Sequence, residues 1–262
     1  VGRDWPATYV SSFVRSILAQ PPAPAFRIRV VVDEDALALA APLAELDTRV
    51  EIVPFRRGGA SFNFAEKANF AVRTSGTDRV VLLNDDMEAI DGGWLAALLE
   101  PLELPGVGIV GGQMLRPDDT IQHCGIALGI HGAAAHLFEG LPSHHVAYNA
   151  FNQVMRNYAA VSGAMIAFRR AAFDRVGGFD ERFPIDFNDV DFCLRLADAG
   201  LRTVYTPFAR LRHFESRSAR RLTQDALDRH RFCTRWASWV RRDPFYNRHL
   251  TRSGVMCEPA TP

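Results

Sequence analysis

The sequence predicts an α/β fold with a mostly parallel central sheet flanked by helices and followed by a C-terminal helix. Three observations lead there. Short β-branched runs such as RIRVVVD (27–33) and RVVLL (79–83) alternate with helical patterns through the first half. Such alternation places helices on both faces of a parallel sheet. The third is size: 262 residues, 48% hydrophobic and 23% charged, are enough to bury a substantial core.

Residues 6–20 read as the first helix, with Pro6 suited to its first turn. The run 27–33 is a buried strand, 35–46 an Ala/Leu-rich helix and 49–54 a second strand. Asn63 caps a helix reaching about residue 73, and Glu66 three positions later completes a capping-box pattern. Residues 79–83 are a third strand and 93–100 a helix. In the second half 107–111, 121–128 and 161–169 read as strands. Residues 129–157, rich in Gly, His, Asn and Ala, lack periodicity and read as a long functional or mobile loop. A helix over 188–199 ends at Gly200. Short strands follow at 203–205 and 209–213, then a helix over 222–241, with a loose tail after Pro244.

The formal net charge is zero, so no global field favours nucleic acid, and none is expected as a partner. The basic stretch 210–221 (RLRHFESRSARR) is either a solvated face or a local anion or lipid contact, which would give a peripheral membrane contact. Cys124, Cys193, Cys233 and Cys257 show no CxxC spacing, so neither a zinc site nor a redox pair is signalled. A reduced cytoplasmic setting, at most at the inner face of the membrane, is the expectation. No apolar run approaches the ~20 residues needed to span a bilayer, and no signal peptide is expected. The chain opens on Val1, so a longer polypeptide is expected.

Ligands of α/β sheets lie beyond the carboxyl ends of strands. Asp33 closes one strand, Asn84-Asp85-Asp86 follow another, His213 ends a later one, and Asp189 and Asp191 open a helix. Each alone reads equally as a cap or a solvated turn. Hard cations such as Mg²⁺ or Mn²⁺ take carboxylate oxygens together with substrate phosphates, which suits the NDD triplet. On the helix from 188, Val190, Cys193, Leu194 and Ala197 form the apolar stripe. Asp191 stands four residues before Arg195, a spacing for an exposed or half-exposed ion pair, which leaves Asp189 to point into the cleft. The rival reading of Asp189 is a charge favourable at a helix N-terminus. His213 is otherwise a surface histidine in a basic run.

The stretches VVLLNDDMEAIDGGWL, PGVGIVGGQMLRPDDTIQHCGIALG, VSGAMIAFRRAAFDRVGGFDERF and FNDVDFCLRLADAGLRTVYTPFARLRHFES occur in order, and DPFYNRHL follows. Together they resemble the family 2 glycosyltransferases, in particular the rhamnosyltransferase-like, O-antigen and exopolysaccharide subgroup, over roughly residues 3–250. The resemblance implies a GT-A-type domain over 1–220. Its nucleotide-sugar donor half would be about 1–115 and its acceptor half 116–218, with a C-terminal helix and tail over 221–262. It implies inverting transfer of a sugar from a nucleotide diphosphate donor to a carbohydrate or lipid-linked glycan acceptor, with a divalent cation, Mg²⁺ or Mn²⁺.

Residue by residue, Asn84-Asp85-Asp86 occupies the place of the family's DXD motif, with Asn84 in the first acidic position. Asp86 would be the main metal ligand and Asp85 would face the donor. Asp33 would read the base or ribose. Asn63 and Asn69 match positions beside the donor pocket. Asp189 inherits the catalytic base, and His213 a further metal ligand. The family normally opens with an apolar strand. Here only Val1-Gly2-Arg3-Asp4 precede the first helix, so that strand is expected to be missing or contributed from outside.

His123, within TIQHCG, receives no role. His131, His136, His144 and His145 form either a metal cluster or, the reading taken, a polar acceptor-side loop. Arg235-Trp236 resembles the end of the QxxRW motif of processive synthases, but Phe232 replaces the Gln, so that reading is rejected. Two other classes stay open: a nucleotidyltransferase, for which Gly58-Gly59 lie too late to be the phosphate loop, and a non-catalytic nucleotide-sugar or glycan binder.

Overall fold

The computed structural model describes residues 7–20, 24–59, 61–214 and 226–260. Helix α1 (Ala7–Leu18) leads into β1 (Ile28–Asp33), α2 (Leu37–Ala40), β2 (Val50–Phe55), α3 (Phe64–Arg73) and β3 (Arg79–Leu83). Then come β4 (Met87–Ala89), α4 (Trp94–Leu99), β5 (Val107–Leu115), β6 (Ile121–His123), β7 (Ile126–Leu128), β8 (Ala134–His136) and β9 (Arg156–Asn157). The chain closes with β10 (Met165–Arg169), α5 (Arg170–Val176), α6 (Asn188–Asp198), β11 (Arg202–His213), α7 (Ala226–Arg235) and α8 (Ala237–Arg241).

The α/β class stands, but the strand directions are mixed. A seven-stranded sheet runs β3-β10-β5-β11-β4, with β6 beside β5 and β9 beside β11. Within it β5 and β11 are parallel, whereas β10 is antiparallel to both β3 and β5, and β4, β6 and β9 are antiparallel to their neighbours. A parallel pair needs a long crossover. The helix-per-strand rhythm that signals one holds only for the first strands, and β1 and β2 do pair in parallel, in a two-stranded sheet of their own. The opening Val1-Gly2-Arg3-Asp4 lies outside the described residues.

Other differences are local. The helix expected over 35–46 breaks into α2 and two 3₁₀ turns, because Pro42 removes a backbone donor in its middle. The strand expected over 121–128 splits at Gly125, whose φ is +115° and where a Cβ would run into the Tyr158 ring. The two short strands after Leu201 are one strand, β11, whose register slips between Thr206 and Arg210, around Pro207.

The stretch 129–157 is packed rather than loose. It contributes β8, and Ile130, Ala133, Leu137, Phe138 and Ala147 are buried in the largest core cluster. The tail after Pro244 is likewise no loose end. Tyr246, Leu250 and Cys257 join that cluster together with Phe232 of α7 and Trp236, which links α7 to α8. The Asp243 carboxylate accepts the Leu128 N–H at 2.8 Å and the Phe245 N–H at 2.7 Å. These apolar residues are spaced without a period, so pattern reading misses them. No described helix is long and apolar enough to cross a membrane. The basic stretch from Arg210 runs into 215–221, outside the described residues.

Candidate active site

The ends of β3 and β11, the approach to β10 and the start of α6 converge. β3 ends at Leu83, and the Asn84 N–H donates to the Ala164 carbonyl at 2.9 Å, just before β10. β11 ends at His213, and the next N–H, of Phe214, donates to the Asp86 carbonyl at 2.9 Å. These bonds fasten Asn84 and Asp86 to the ends of neighbouring strands.

Asp86 is 5% and His213 8% exposed, and Asp86 Oδ1 lies 3.0 Å from His213 Nε2. The Asn84 amide nitrogen lies 3.3 Å from the same ring nitrogen. On the far side of the ring, Nδ1 lies 2.6 Å from Gln122 Oε1. The pair fits a hard cation: two ligands at right angles, each about 2.1 Å from an octahedral ion, stand about 3.0 Å apart. No group of three or more His, Cys, Asp or Glu side chains able to hold a metal occurs among the described residues. An ion seated on Asp86 and His213 would complete its shell with substrate oxygens and water. Asp85 is half-buried beside the pair.

Asp189 sits in the first turn of α6. Its Oδ2 accepts the Gly163 N–H at 2.7 Å and its Oδ1 accepts the Val190 N–H at 2.8 Å. A Cβ on Gly163 would lie 3.1 Å from the Asp189 Cβ, so glycine permits the close approach. Gly163 adjoins Ala164, which holds Asn84, so the segment 162–164 seats Asn84 on one side and Asp189 on the other. Phe187, just before α6, adopts φ +62°, an unusual conformation for a bulky residue. Its ring stacks on Phe232 of α7 at 4.5 Å.

Asp191 points the other way, into the core. It is fully buried, its Oδ2 accepts from Arg195 Nε at 2.7 Å, and its Oδ1 accepts from Trp236 Nε1 at 2.9 Å, with Arg235 at 3.1 Å. The pairing with Arg195 is as the spacing suggested, but its exposure is not: α7 covers the helix, and Phe192 and Leu196 are buried beside the expected stripe.

Asp33, at the end of β1, is 2% exposed and lies between two cations. Arg57 donates to its Oδ2, through Nε at 3.0 Å, and Lys67 Nζ donates to its Oδ1 at 2.8 Å. Burial alone would raise its pKa; the hydrogen bonds and charges of Arg57 and Lys67 together outweigh that and hold it below the ordinary carboxylate value. Lys67, the sole lysine, also stands over the Phe55 ring, 5.6 Å from its centroid.

Asn63 and Asn69 are both tied to the 179–181 loop. Asn63 caps α3 by accepting from the Glu66 N–H at 3.1 Å and donates to the Glu181 carbonyl at 2.9 Å. Glu66 leaves the capping box half made, since its carboxylate accepts the Gly58 N–H. Asn69 is buried and clamps the 179–181 loop through the Phe179 N–H, the Phe179 carbonyl and the Glu181 carboxylate. Both amides are committed to backbone and loop, which the sequence pattern alone does not reveal. His123 is a buried neutral ring: burial, then the neighbouring His136, pushes its pKa well below the ordinary value, and its Nε2 accepts the Ser162 N–H at 3.3 Å. His144 and His145 pack edge to face at 4.4 Å.

Sequence reasoning missed Gln122, Arg57, Lys67, Gly163 and Trp236. For Lys67 the signal was its singularity, and for Gly163 its place in VSGAM. For Gln122 and Trp236 the contacts are long-range, and no local pattern announces them.

Known proteins share this architecture. The chain is 34% identical over 254 residues to the O-antigen biosynthesis protein RfbC of Myxococcus xanthus, covering 94% of this chain and 20% of that protein. The chain spans 20–27% of the length of the curated relatives that it matches along most of its own length. Structural likeness extends to GalNAc-T7 with UDP, GalNAc and Mn²⁺ (TM-score 0.63, 14% identity, 79% of this chain and 40% of that one). It extends also to the mannosyltransferase PcManGT of Pyrobaculum calidifontis with GDP-Man and Mn²⁺ (TM-score 0.57, 18% identity, 91% and 60%). Both are glycosyltransferases of the GT-A fold, which is therefore the fold of this chain. The profile of the glycosyltransferase like family 2 matches residues 5–238, and the chain belongs to that family.

Proposed function

We propose that this chain is the catalytic domain of an inverting, metal-dependent glycosyltransferase. It would move one sugar from a nucleotide diphosphate donor to a hydroxyl of a carbohydrate or lipid-linked glycan during surface polysaccharide synthesis. The domain is read as 1–220, with 221–262 as a C-terminal helix and tail. The observation that carries the reading is the Asp86–His213 pair, 3.0 Å apart at two strand ends, with Asp189 seated across the 162–164 segment. The likeness to proteins bound to UDP or GDP-Man with Mn²⁺ supports it.

The cation, Mg²⁺ or Mn²⁺, would neutralise the charge that gathers on the departing diphosphate. Asp86 and His213 would hold it, and Asp85 would face the donor. Asp33, with Arg57 and Lys67, would line the nucleotide end. The acceptor hydroxyl attacks the anomeric carbon from the face opposite the diphosphate, and Asp189 takes its proton. Each Asp189 oxygen spends one lone pair on a backbone N–H, which fixes the carboxylate while leaving a second lone pair for the hydroxyl.

The test is calorimetry of UDP, dTDP and GDP with and without Mn²⁺, on the wild type and on Asp86→Ala. One nucleotide should bind with a metal-dependent gain, and that gain should vanish in the variant. A variant that retains it removes Asp86 from the site.

A further inference from the structure

A neutral imidazole carries one proton on two nitrogens, and a cation can be bound only through the bare one. The surroundings of His213 select between them. On one side Nδ1 faces Gln122 Oε1 at 2.6 Å. An amide oxygen only accepts, so Nδ1 carries the proton. On the other side the Asn84 amide nitrogen faces Nε2 at 3.3 Å. An amide nitrogen only donates, so Nε2 presents its lone pair. The two amides specify the same tautomer, whereas the Asp86 carboxylate, an acceptor 3.0 Å from Nε2, accommodates it only when a cation stands between them. In that tautomer Nε2 and Asp86 Oδ1 are two acceptors 3.0 Å apart, an arrangement that a shared cation relieves.

Gln122 is itself firmly held. It is 5% exposed and lies on β6, which pairs with β5 on either side of it, His123 with Met114 and Ile121 with Leu115. Its carbonyl lies 3.0 Å from His136 Nδ1. The Ile121 carbonyl accepts from Arg116 at 3.1 Å. A side chain on so fixed a backbone presents its amide oxygen at one place, and that place is the His213 Nδ1–H.

We infer that Gln122 is a positioning residue: its amide oxygen fixes the His213 ring as the Nδ1–H tautomer, so that Nε2 is bare and aimed, beside Asp86, at a divalent cation. The inference rests on the reading of Asp86 and His213 as the cation seat. Histidine ligands commonly depend on such an outer partner, whose loss weakens metal binding about 10–100-fold. Gln122 has no contact with the cation or the substrate in this scheme. It acts only through the ring.

The experiment has two arms. Ring ¹⁵N spectra of the histidine-labelled full chain saturated with diamagnetic Mg²⁺ should show His213 with Nδ1 protonated and no proton on Nε2; an Nε2–H ring under those conditions overturns the inference. Mn²⁺ titrations followed by electron paramagnetic resonance then compare variants. Gln122→Leu, with no acceptor, should bind Mn²⁺ about 10–100-fold more weakly. Gln122→Glu keeps the acceptor oxygen and should bind as tightly as the wild type or tighter. A merely structural role predicts the reverse order, because a buried carboxylate disturbs packing more than leucine does. Equal affinity of Gln122→Leu and wild type, or equal loss in both variants, overturns the inference. His213→Ala separates the two levels. If it weakens Mn²⁺ binding while Gln122→Leu does not, only the role of Gln122 falls. If His213→Ala binds Mn²⁺ like the wild type, the cation seat falls and takes the inference with it.

Discussion

Asp189 and Asp191 are two residues apart on one helix, yet the structure gives them opposite surroundings, so exchanging each for asparagine should produce opposite phenotypes. In Asp189→Asn the amide oxygen can accept only one of the two N–H groups, Gly163 or Val190, that the carboxylate now holds. One hydrogen bond is lost, worth about 0.5–1.5 kcal/mol. A negative charge at a helix start goes with it, worth about 0.3–1 kcal/mol. At roughly 2–4 °C per kcal/mol for a chain approaching this size, the melting temperature should fall by only a few degrees. Turnover should fall about 10²–10⁴-fold, because an amide cannot take the proton. That is about 2.7–5.4 kcal/mol of barrier, which exceeds the stability loss. Asp191→Asn should show the reverse: it weakens a buried network with Arg195, Arg235 and Trp236. Complete removal of such a charge costs about 3–5 kcal/mol, and the asparagine a good part of it. The assay is paired thermal melting and single-turnover sugar transfer, with a donor chosen from the nucleotide panel. If Asp189→Asn folds and turns over within tenfold of the wild type, the base is elsewhere. If Asp191→Asn stops turnover at temperatures where it is folded, the two roles are reversed.

Three further outcomes follow from the same geometry. Gly163→Ala places a methyl 3.1 Å from the Asp189 Cβ, so the chain should stay folded while kcat falls tenfold or more through displacement of the base; unchanged kcat would show that the close approach does not matter. Asn69→Ala should destabilise by about 2–4 kcal/mol in urea unfolding, since the Phe179 N–H and carbonyl lose their partner in a buried place, while nucleotide affinity stays the same; a loss of affinity without a loss of stability would return Asn69 to the donor pocket. Asp33 has a lowered pKa, so its contribution to stability is complete above the ordinary carboxylate value of about 4 and is lost as the pH falls through the lowered value. Asp33→Asn should therefore flatten the acid limb of the pH–stability profile measured by urea midpoints, and an unchanged limb would refute the linkage.

What the sequence made legible follows from the range of the contacts involved. The alternating strands and the cap at Asn63 depend on neighbours a few residues away, and β1, β2, β3 and α3 lie where the pattern puts them. Carboxylates just beyond strands follow from the same local reading, and the 162–164 segment bonds to both the Asn84 N–H and the Asp189 carboxylate. The family resemblance carried what pattern could not, namely that His213 and Asp86, 127 residues apart, meet. What stayed hidden depends on long-range partners. Asn69 looks available in sequence but is spent on a loop 110 residues away, and Asp191 looks exposed until Trp236 closes over it. Strand direction was hidden too, because β10 enters between β3 and β5 without a helical crossover to announce it.

The stacking of Phe187 on Phe232 gives the C-terminal helix a part in setting Asp189, the proposed base. Phe187 stands two residues before Asp189 in a backbone conformation that costs on the order of 1–3 kcal/mol unless its surroundings impose it. The Phe232 ring imposes it from one side, and Trp236 grips Asp191 one step further along the same turn. The proposed cleft thus has its alignment jig outside itself, on a helix that comes after every described strand of the sheet. Grafting the cleft of this chain into another protein, or exchanging acceptor specificity between relatives by swapping segments, would have to carry α7 along with α6. Chimaeras joined between β11 and α7 would preserve Asp86, His213 and Asp189 and still lose the ring that holds Phe187.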